Sequence, residues 1–306
     1  MHKQEKMLFI VGPTAVGKTD VGFLLAQKLG GEIISCDAMQ VYREVNLATS
    51  KPPAEMRNSV PHHLLDVLSV TQEFDVASFN QQALAAVAKI RAHKKIPIVV
   101  GGSGMYMQVL LDGIFTEPAH NPQVRKELAG RITAEGSAKL YEELARSDPA
   151  AAAKIHPHDN RRIIRALEVY LITKKPISVL QKHRQGLWGR VPIKIFCLTR
   201  PRAELYGRIN QRVEEMFTEG LIAEIEALRG LKLSRTAQAI IGVKEVQGYL
   251  AEKHTIADAK EQMKLNTRHL AKRQLTWFRK DKRLEWIEIS SSQTPQDIVR
   301  QILGIV

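Results

Sequence analysis

Gly12-Pro13-Thr14-Ala15-Val16-Gly17-Lys18-Thr19 meets the pattern G-x-x-x-x-G-K-S/T in full, and each fixed residue has a task in holding phosphate. Gly12 and Gly17 admit backbone angles and close approaches that a Cβ blocks, so successive N–H groups converge on an anion. Lys18 adds a positive charge and Thr19 a hydroxyl for Mg²⁺, while a helix starting here turns its positive end to the same spot. A diphosphate or triphosphate is expected in this loop. The motif alone leaves open whether the phosphate is transferred, hydrolysed or simply departs.

Three further groups carry chemistry. Asp37, in Cys36-Asp37-Ala38-Met39-Gln40, follows a short apolar segment, and ligands of open α/β sheets bind beyond the carboxyl ends of strands. It is a candidate general base, with the capping of a turn as the plainer alternative. Ser103, in Gly101-Gly102-Ser103-Gly104, either stands at the crevice edge or caps the next helix. His62-His63 invites a metal reading, but adjacent residues of an extended segment face opposite ways and no third ligand follows at useful spacing. Arginines supply the rest. Arg208 and Arg212 lie on one helix, where P-loop kinases often keep a mobile lid, and Arg212 is the better placed to reach phosphate. Arg161 and Arg165 sit a turn apart. Like Arg125, they either grip phosphates or pair with Glu168 on a wet face.

The elements that must position these groups follow from apolar periodicity. Met7-Leu8-Phe9-Ile10-Val11, Glu32-Ile33-Ile34-Ser35, Ile96-Pro97-Ile98-Val99-Val100 and Pro192 to Leu198 read as strands, the stretch from Pro61 to Val67 as a turn followed by another short strand, and Leu284 to Ile289 as an edge strand. Helices are expected after the phosphate loop, over 75–94, from Ser103 through Leu111, over 205–216, over 263–280 and over 295–303, and a helix start or tight turn over 237–244. No acidic residue ends the strand 96–100, so the Walker-B ligand of an ATPase or GTPase motor is missing. From Phe115 to Arg190 the chain is broken by Glu117-Pro118, Asn121-Pro122, Asp148-Pro149 and His156-Pro157, with helical runs between. The expectation is α/β: a P-loop NTPase-like parallel sheet flanked by helices, formed by residues 1–114 and 191–306, with a mostly helical insertion over 115–190.

Composition narrows the partners. The 306 residues carry a net charge of +13, more than a metabolite kinase needs, and a polyanion such as nucleic acid is the natural complement. On the helix over 263–280, Ala271, Leu275 and Phe278 share the core side, while Arg268, His269, Lys272, Arg273, Arg279 and Lys280 spread over an adjoining arc that suits a nucleic-acid backbone. Cys36 and Cys197 are the sole cysteines and form no C-x-x-C pair, so no disulfide framework or zinc site is suggested. No signal peptide or membrane span is seen, and a cytoplasmic monomer is expected.

Taken together the chain resembles the tRNA dimethylallyltransferase family, the isopentenyl-tRNA transferases of bacterial type. The resemblance rests on the phosphate loop, Ser35-Cys36-Asp37-Ala38-Met39-Gln40-Val41-Tyr42, His62-His63-Leu64-Leu65-Asp66-Val67, Gly101-Gly102-Ser103-Gly104-Met105-Tyr106, Arg161 to Tyr170 and Thr267-Arg268-His269-Leu270-Ala271-Lys272-Arg273-Gln274, in family order. It implies transfer of the dimethylallyl group of dimethylallyl diphosphate to N6 of the adenosine directly 3′ of the tRNA anticodon, releasing diphosphate, with Mg²⁺ as cofactor. By the same resemblance, Gly12 to Thr19 and Arg212 hold the diphosphate, Thr19 touches Mg²⁺, and Asp37 and Ser103 are catalytic. Asp37, Ala38, Met39, Gln40 and Ser103 meet the target base and its neighbours. Arg125, Arg161, Arg162, Ile163, Ile164 and Arg165 hold the anticodon stem-loop, and Ala239, Ile240, Ile241, Gly242, Val243, Lys244, Arg268, Lys272 and Arg273 add tRNA contacts. Three positions depart from the pattern. Ser103 stands where Thr is commoner, Ala48-Thr49-Ser50 replaces Gly-Thr-Ala, and Val243 stands where Tyr is frequent. The rival readings are an adenylate isopentenyltransferase acting on free AMP or ATP, a P-loop nucleotide kinase and a non-catalytic RNA-binding NTPase module.

Overall fold

A computed structural model of the chain describes residues 6–115 and 120–306, so the Glu117-Pro118 break lies outside the described residues. It divides into two compact units, one up to Leu111 and from Trp188 onward, the other Asp112–Leu187.

In the first unit, β1 (Met7–Val11) is apolar and buried at every position, as a strand covered on both faces must be. The phosphate loop then leads into α1 (Lys18–Leu29), which ends at Gly30 in the left-handed conformation. β2 (Glu32–Ser35), α2 (Ala54–Ser59), β3 (His62–His63), α3 (Val76–Ala92), β4 (Pro97–Gly101) and α4 (Gly104–Asp112) follow. After the second unit come β5 (Ile193–Thr199), α10 (Arg202–Thr218), α11 (Leu221–Glu226), α12 (Val243–Leu250), α13 (Ile256–Phe278), β6 (Glu285–Glu288) and α14 (Pro295–Leu303). The strands pair in the order β3-β2-β4-β1-β5-β6, all parallel.

One face of the sheet buries Leu8, Ile10, Ile98 and Phe196 against α1, α10, α13 and α14 through Leu25, Ile209, Ala271 and Ile298. Towards α3 and α4, Phe79 stacks on Tyr106 with ring centroids 4.1 Å apart. Burial of such side chains supplies the main driving force for the fold.

Two expectations are corrected here. Within Pro61 to Val67 the short strand comes before the turn instead of after it: it occupies His62–His63, and Leu64 and Asp66 then take positive φ (64° and 55°) and turn the chain out of the ladder. α13 begins at Ile256, about two turns before Met263, because Thr255 and Asp258 form a reciprocal capping box at its start.

The second unit holds α5 (Pro122–Glu135), α6 (Ser137–Ser147), α7 (Pro149–Ala152), α8 (Asn160–Thr173) and α9 (Ile177–Leu180) around Leu128, Leu140, Leu144, Ile163 and Leu167. Asn121, Asp148 and Asp159 cap the helices that follow them, so two of the breaks in the sequence, Asn121-Pro122 and Asp148-Pro149, are helix starts.

Of the two readings of Arg125 and Arg165, the pairing with Glu168 is present, but Glu168 is fully buried and not on a wet face. Its carboxylate accepts from Arg125 at 2.7 Å, Arg165 at 2.9 Å and the Asn121 N–H at 3.0 Å, and these partners hold its pKa below the ordinary carboxylate value against the opposing effect of burial. Replacing Glu168 by Ala should therefore destabilise this unit by about 2 kcal/mol, less than for a wholly buried pair because the guanidiniums can turn to water. A lowered midpoint in urea unfolding, with diphosphate binding by the first unit unchanged, is the expected result.

Candidate active site

The loop, the ends of β2 and β4, and one face each of α10 and α13 enclose a cavity of about 400 Å³ in the first unit. The loop itself is locked by contacts that leave little choice of residue. Gly12 has φ 145°, and a Cβ on it would lie 2.4 Å from the Leu198 carbonyl oxygen on β5. Arg208 donates to the Ala15 carbonyl at 2.9 Å and Arg200 to that of Val16 at 3.1 Å. Two of the loop's carbonyls are thus engaged by arginines.

Lys18 donates to the Pro13 carbonyl at 2.6 Å and lines the cavity with Thr19. Burial pulls its pKa down to about 8, with Asp37 pushing it up and Arg212 pushing it down. Arg212 also lines the cavity, and desolvation together with the neighbouring Arg208 lowers its pKa. The two arginines thus divide the work: Arg208 braces the loop and Arg212 faces the space. Leu205, Ile209 and Val213 pack α10 into the core.

Asp37 both caps its turn and stands at the cavity wall. Its Oδ1 accepts from the Met39 N–H at 2.9 Å, capping the turn, and the residue lines the cavity. Desolvation raises its pKa, with the Met39 N–H and Lys18 opposing. Ser103 Oγ accepts from the Ala38 N–H at 3.3 Å, and the Ser103 N–H donates to the Cys36 carbonyl at 3.1 Å. This stitching is possible because β4 ends in glycine: a Cβ on Gly101 would lie 2.1 Å from the Cys36 carbonyl oxygen. Asp37 and Ser103, 66 residues apart in sequence, are therefore held on adjacent backbone.

Ala38, Met39 and Gln40 line the same space. The Gln40 amide is already engaged, since Nε2 donates to the Thr49 and Ser50 carbonyls at 3.2 and 3.1 Å while Oε1 accepts from Ser35 Oγ at 2.9 Å. Its side chain ties the 49–50 loop to β2. Of the later stretch, Ala239, Ile240 and Ile241 reach the cavity, whereas Val243 is a core residue and Lys244 is exposed. From α13, Thr267, Leu270, Arg273 and Gln274 reach it too; Lys272 is exposed, and the Arg268 guanidinium lies 5.9 Å from the Tyr206 ring centroid. His62 lines the cavity with Nδ1 bonded to the Val60 carbonyl at 2.7 Å, and His63 turns away to Glu32, also at 2.7 Å.

Arg125 and residues 161–165 belong to the second unit. Arg161 and Arg162 are exposed there, Arg125 and Arg165 hold Glu168, and Ile163 is buried in the helical core.

Sequence reasoning missed Glu224. Its carboxylate accepts from the N–H groups of Asn46, Leu47 and Ala48 at 2.7 to 2.9 Å and so shapes the loop that carries Thr49 and Ser50 to the cavity wall. No local pattern marks a glutamate that acts about 180 residues away in sequence, though an acid in the first turn of α11 is a weak hint.

A Walker-type phosphate loop in a parallel α/β sheet, beside a half-buried aspartate and with no acid at the end of β4, defines a P-loop protein built around a phosphate-bearing substrate. Known proteins narrow the class. A sequence profile of the family described as IPP transferase matches residues 40–281. A tRNA dimethylallyltransferase of Carboxydothermus hydrogenoformans is 44% identical over 98% of this chain and 96% of its own length. One of Geobacillus thermodenitrificans is 43% identical over 98% and 97%. The crystal structure of a tRNA isopentenylpyrophosphate transferase from Bacillus halodurans superposes with a TM-score of 0.70 at 38% identity, covering 98% of this chain and 96% of that one. A eukaryotic dimethylallyltransferase acting on tRNA gives 0.83 at 29% identity, covering 98% and 78%. The chain belongs to the IPP transferase family of tRNA dimethylallyltransferases.

Proposed function

We propose that this enzyme transfers the dimethylallyl group from dimethylallyl diphosphate to N6 of the adenosine 3′-adjacent to the anticodon in tRNA and releases diphosphate. One observation carries the reading: the phosphate loop, Asp37 and Ser103 line a single cavity, with no acid at the end of β4. A leaving diphosphate needs cations and amides around it, and the attacking amine needs a base; both are within reach of one bound pair of substrates.

The chemistry follows from the groups. The exocyclic amine is a poor nucleophile, so Asp37 accepts a hydrogen bond from it and takes its proton as N6 bonds to C1 of the dimethylallyl group. The C1–O bond breaks and its electron pair stays on the diphosphate oxygen. Lys18, Arg212 and the loop amides hold the charge that develops there. Ser103, bonded to the turn that carries Asp37, orients the amine or the bridging oxygen. Thr19 and Asp37 are hard oxygen donors, and no cluster of three acidic, histidine or cysteine side chains occurs among the described residues, so the site suits Mg²⁺ held mainly by diphosphate and water, with the Thr19 hydroxyl as protein ligand. Mg²⁺, when bound, adds positive charge to the departing diphosphate.

The base must leave the anticodon-loop stack to reach the cavity. Exposed Lys272 and Arg273, with Arg268 beside them, and the second unit's Arg161 and Arg162 are assigned to tRNA phosphates, which suits the net charge of +13. Arg125 and Arg165 act chiefly by shaping that unit through Glu168. The family resemblance favours a cytoplasmic monomer; no helix among the described residues is long and apolar enough to cross a membrane.

Inorganic diphosphate should inhibit competitively against dimethylallyl diphosphate, and ATP should not be hydrolysed with or without tRNA. Acceptor-dependent ATP hydrolysis would replace this reading with a kinase.

The pH profile is set by two groups with opposite requirements. Lys18 works protonated, and in the free enzyme it loses its proton above about 8, so kcat/KM for the donor should fall on the alkaline side. Bound diphosphate raises that pKa, so kcat at saturating donor should stay level over the same range. Asp37 works as the carboxylate, and its raised pKa moves the acid limb to higher pH than an ordinary aspartate gives. A kcat/KM profile flat well above pH 8 would contradict the role given to Lys18.

A further inference from the structure

The Thr14 N–H, part of the phosphate loop, is taken by a side chain of α13. It donates to Oε1 of Gln274 at 2.8 Å, across 260 residues of sequence. The other end of the same amide lies flat on the turn after β4: a Cβ on Gly102 would sit 2.4 Å from Gln274 Nε2 and 3.3 Å from the Gly12 carbonyl oxygen. Gln274 is therefore wedged between the loop and the backbone that precedes Ser103. One turn on, Trp277 packs against Gly104, where a Cβ would come within 2.2 Å of its ring. The helix α13 is thus seated at two points on the segment that carries Ser103, and through Gln274 it also sets where Thr14 points.

We infer that Gln274 is a positioning residue for the donor site, through which α13 holds the phosphate loop in its diphosphate-accepting shape. The inference rests on the donor assignment of the loop made above. A partly buried N–H stripped of its acceptor is costly, and the loop relieves that cost by turning Thr14 elsewhere and spoiling the convergence of the remaining amides. The same helix carries Lys272 and Arg273, so the element that meets RNA also braces the donor loop.

The test compares wild type, Gln274→Met, Gly102→Ala and the double variant. Methionine matches the length of glutamine without its amide, and alanine at position 102 dislodges that amide from the opposite side. Calorimetric titration with inorganic diphosphate, steady-state kinetics and thermal unfolding are measured for each, with Thr276→Ala, exposed on the same helix, as the control. Expected for each single variant is a diphosphate Kd and a donor KM raised about tenfold, with the stem-loop KM and melting temperature near wild type and the control unchanged. The double variant should be no worse than the singles, since both remove one contact. An unchanged diphosphate Kd, independent additive losses, or a collapse of folding in both single variants would overturn the inference. Failure of the wild type itself to bind diphosphate would instead overturn the donor assignment.

Discussion

Asp37→Asn should lower kcat for prenyl transfer to a tRNA stem-loop by about 10³-fold, within the range that a positioned general base supplies. Asparagine is the informative replacement because Asp37 does two jobs. Its Oδ1 accepts from the Met39 N–H, and an asparagine oxygen does the same, so the turn stays capped. What asparagine cannot do is take the amine's proton. Dimethylallyl diphosphate should bind as well as before or slightly better, since a carboxylate that faces the same cavity as the diphosphate loses its charge. Asp37→Ala removes cap and base together, and should add about 1 kcal/mol of lost stability to the same loss of rate. A kcat retained within tenfold in Asp37→Asn would leave the aspartate as a turn cap only.

Lys18→Met is the second large effect. The lysine is the buried cation at the end of the loop, its ammonium already turned to the Pro13 carbonyl, and a methionine fills the same path without charge. Removing one preorganised group from developing oxyanion charge costs about 10²–10³ in rate, and this lysine also binds the ground-state diphosphate, so kcat/KM for the donor should fall by about 10³ with kcat and KM both affected. The stem-loop Kd should not change. Arg212, which faces the same cavity, should show the same pattern more weakly than Lys18, and Arg208, which braces Ala15, should act mainly on donor affinity.

What the sequence makes legible here is whatever depends on local spacing. The phosphate loop, the apolar strands, the turn holding Asp37 and the helix opened by Ser103 all carry their signal within about ten residues, and each lies where its pattern put it. The approach of Asp37 to Ser103 follows from parallel topology, because β2 and β4 are neighbours and both end at the cavity. Arg212 could be preferred to Arg208 from helix position alone, and the cavity places it inside.

Other features have no local signature. Gln274 on Thr14 and Glu224 on the 46–48 amides join partners far apart in sequence, and their side chains would look the same on any wet helix face. Glu168 was misplaced for a related reason. An arginine-rich helix reads as solvated, whereas here the carboxylate is the buried post to which Arg125 and Arg165 are tied. Ile163 and Val243, expected at the RNA surface within basic stretches, are core side chains, since a motif of contiguous residues on a helix always puts some of its members inside.

The most direct test is a single-turnover reaction of the enzyme with Mg²⁺, dimethylallyl diphosphate labelled in the prenyl group, and an anticodon stem-loop with adenosine 3′ of the anticodon, in the presence of AMP and ATP. Digestion to nucleosides then locates the label. The account predicts label on N6 of that one adenosine, none on AMP or ATP, and loss of the signal in Asp37→Asn with donor binding intact. Label on the free nucleotides, or undiminished transfer by Asp37→Asn, would contradict it.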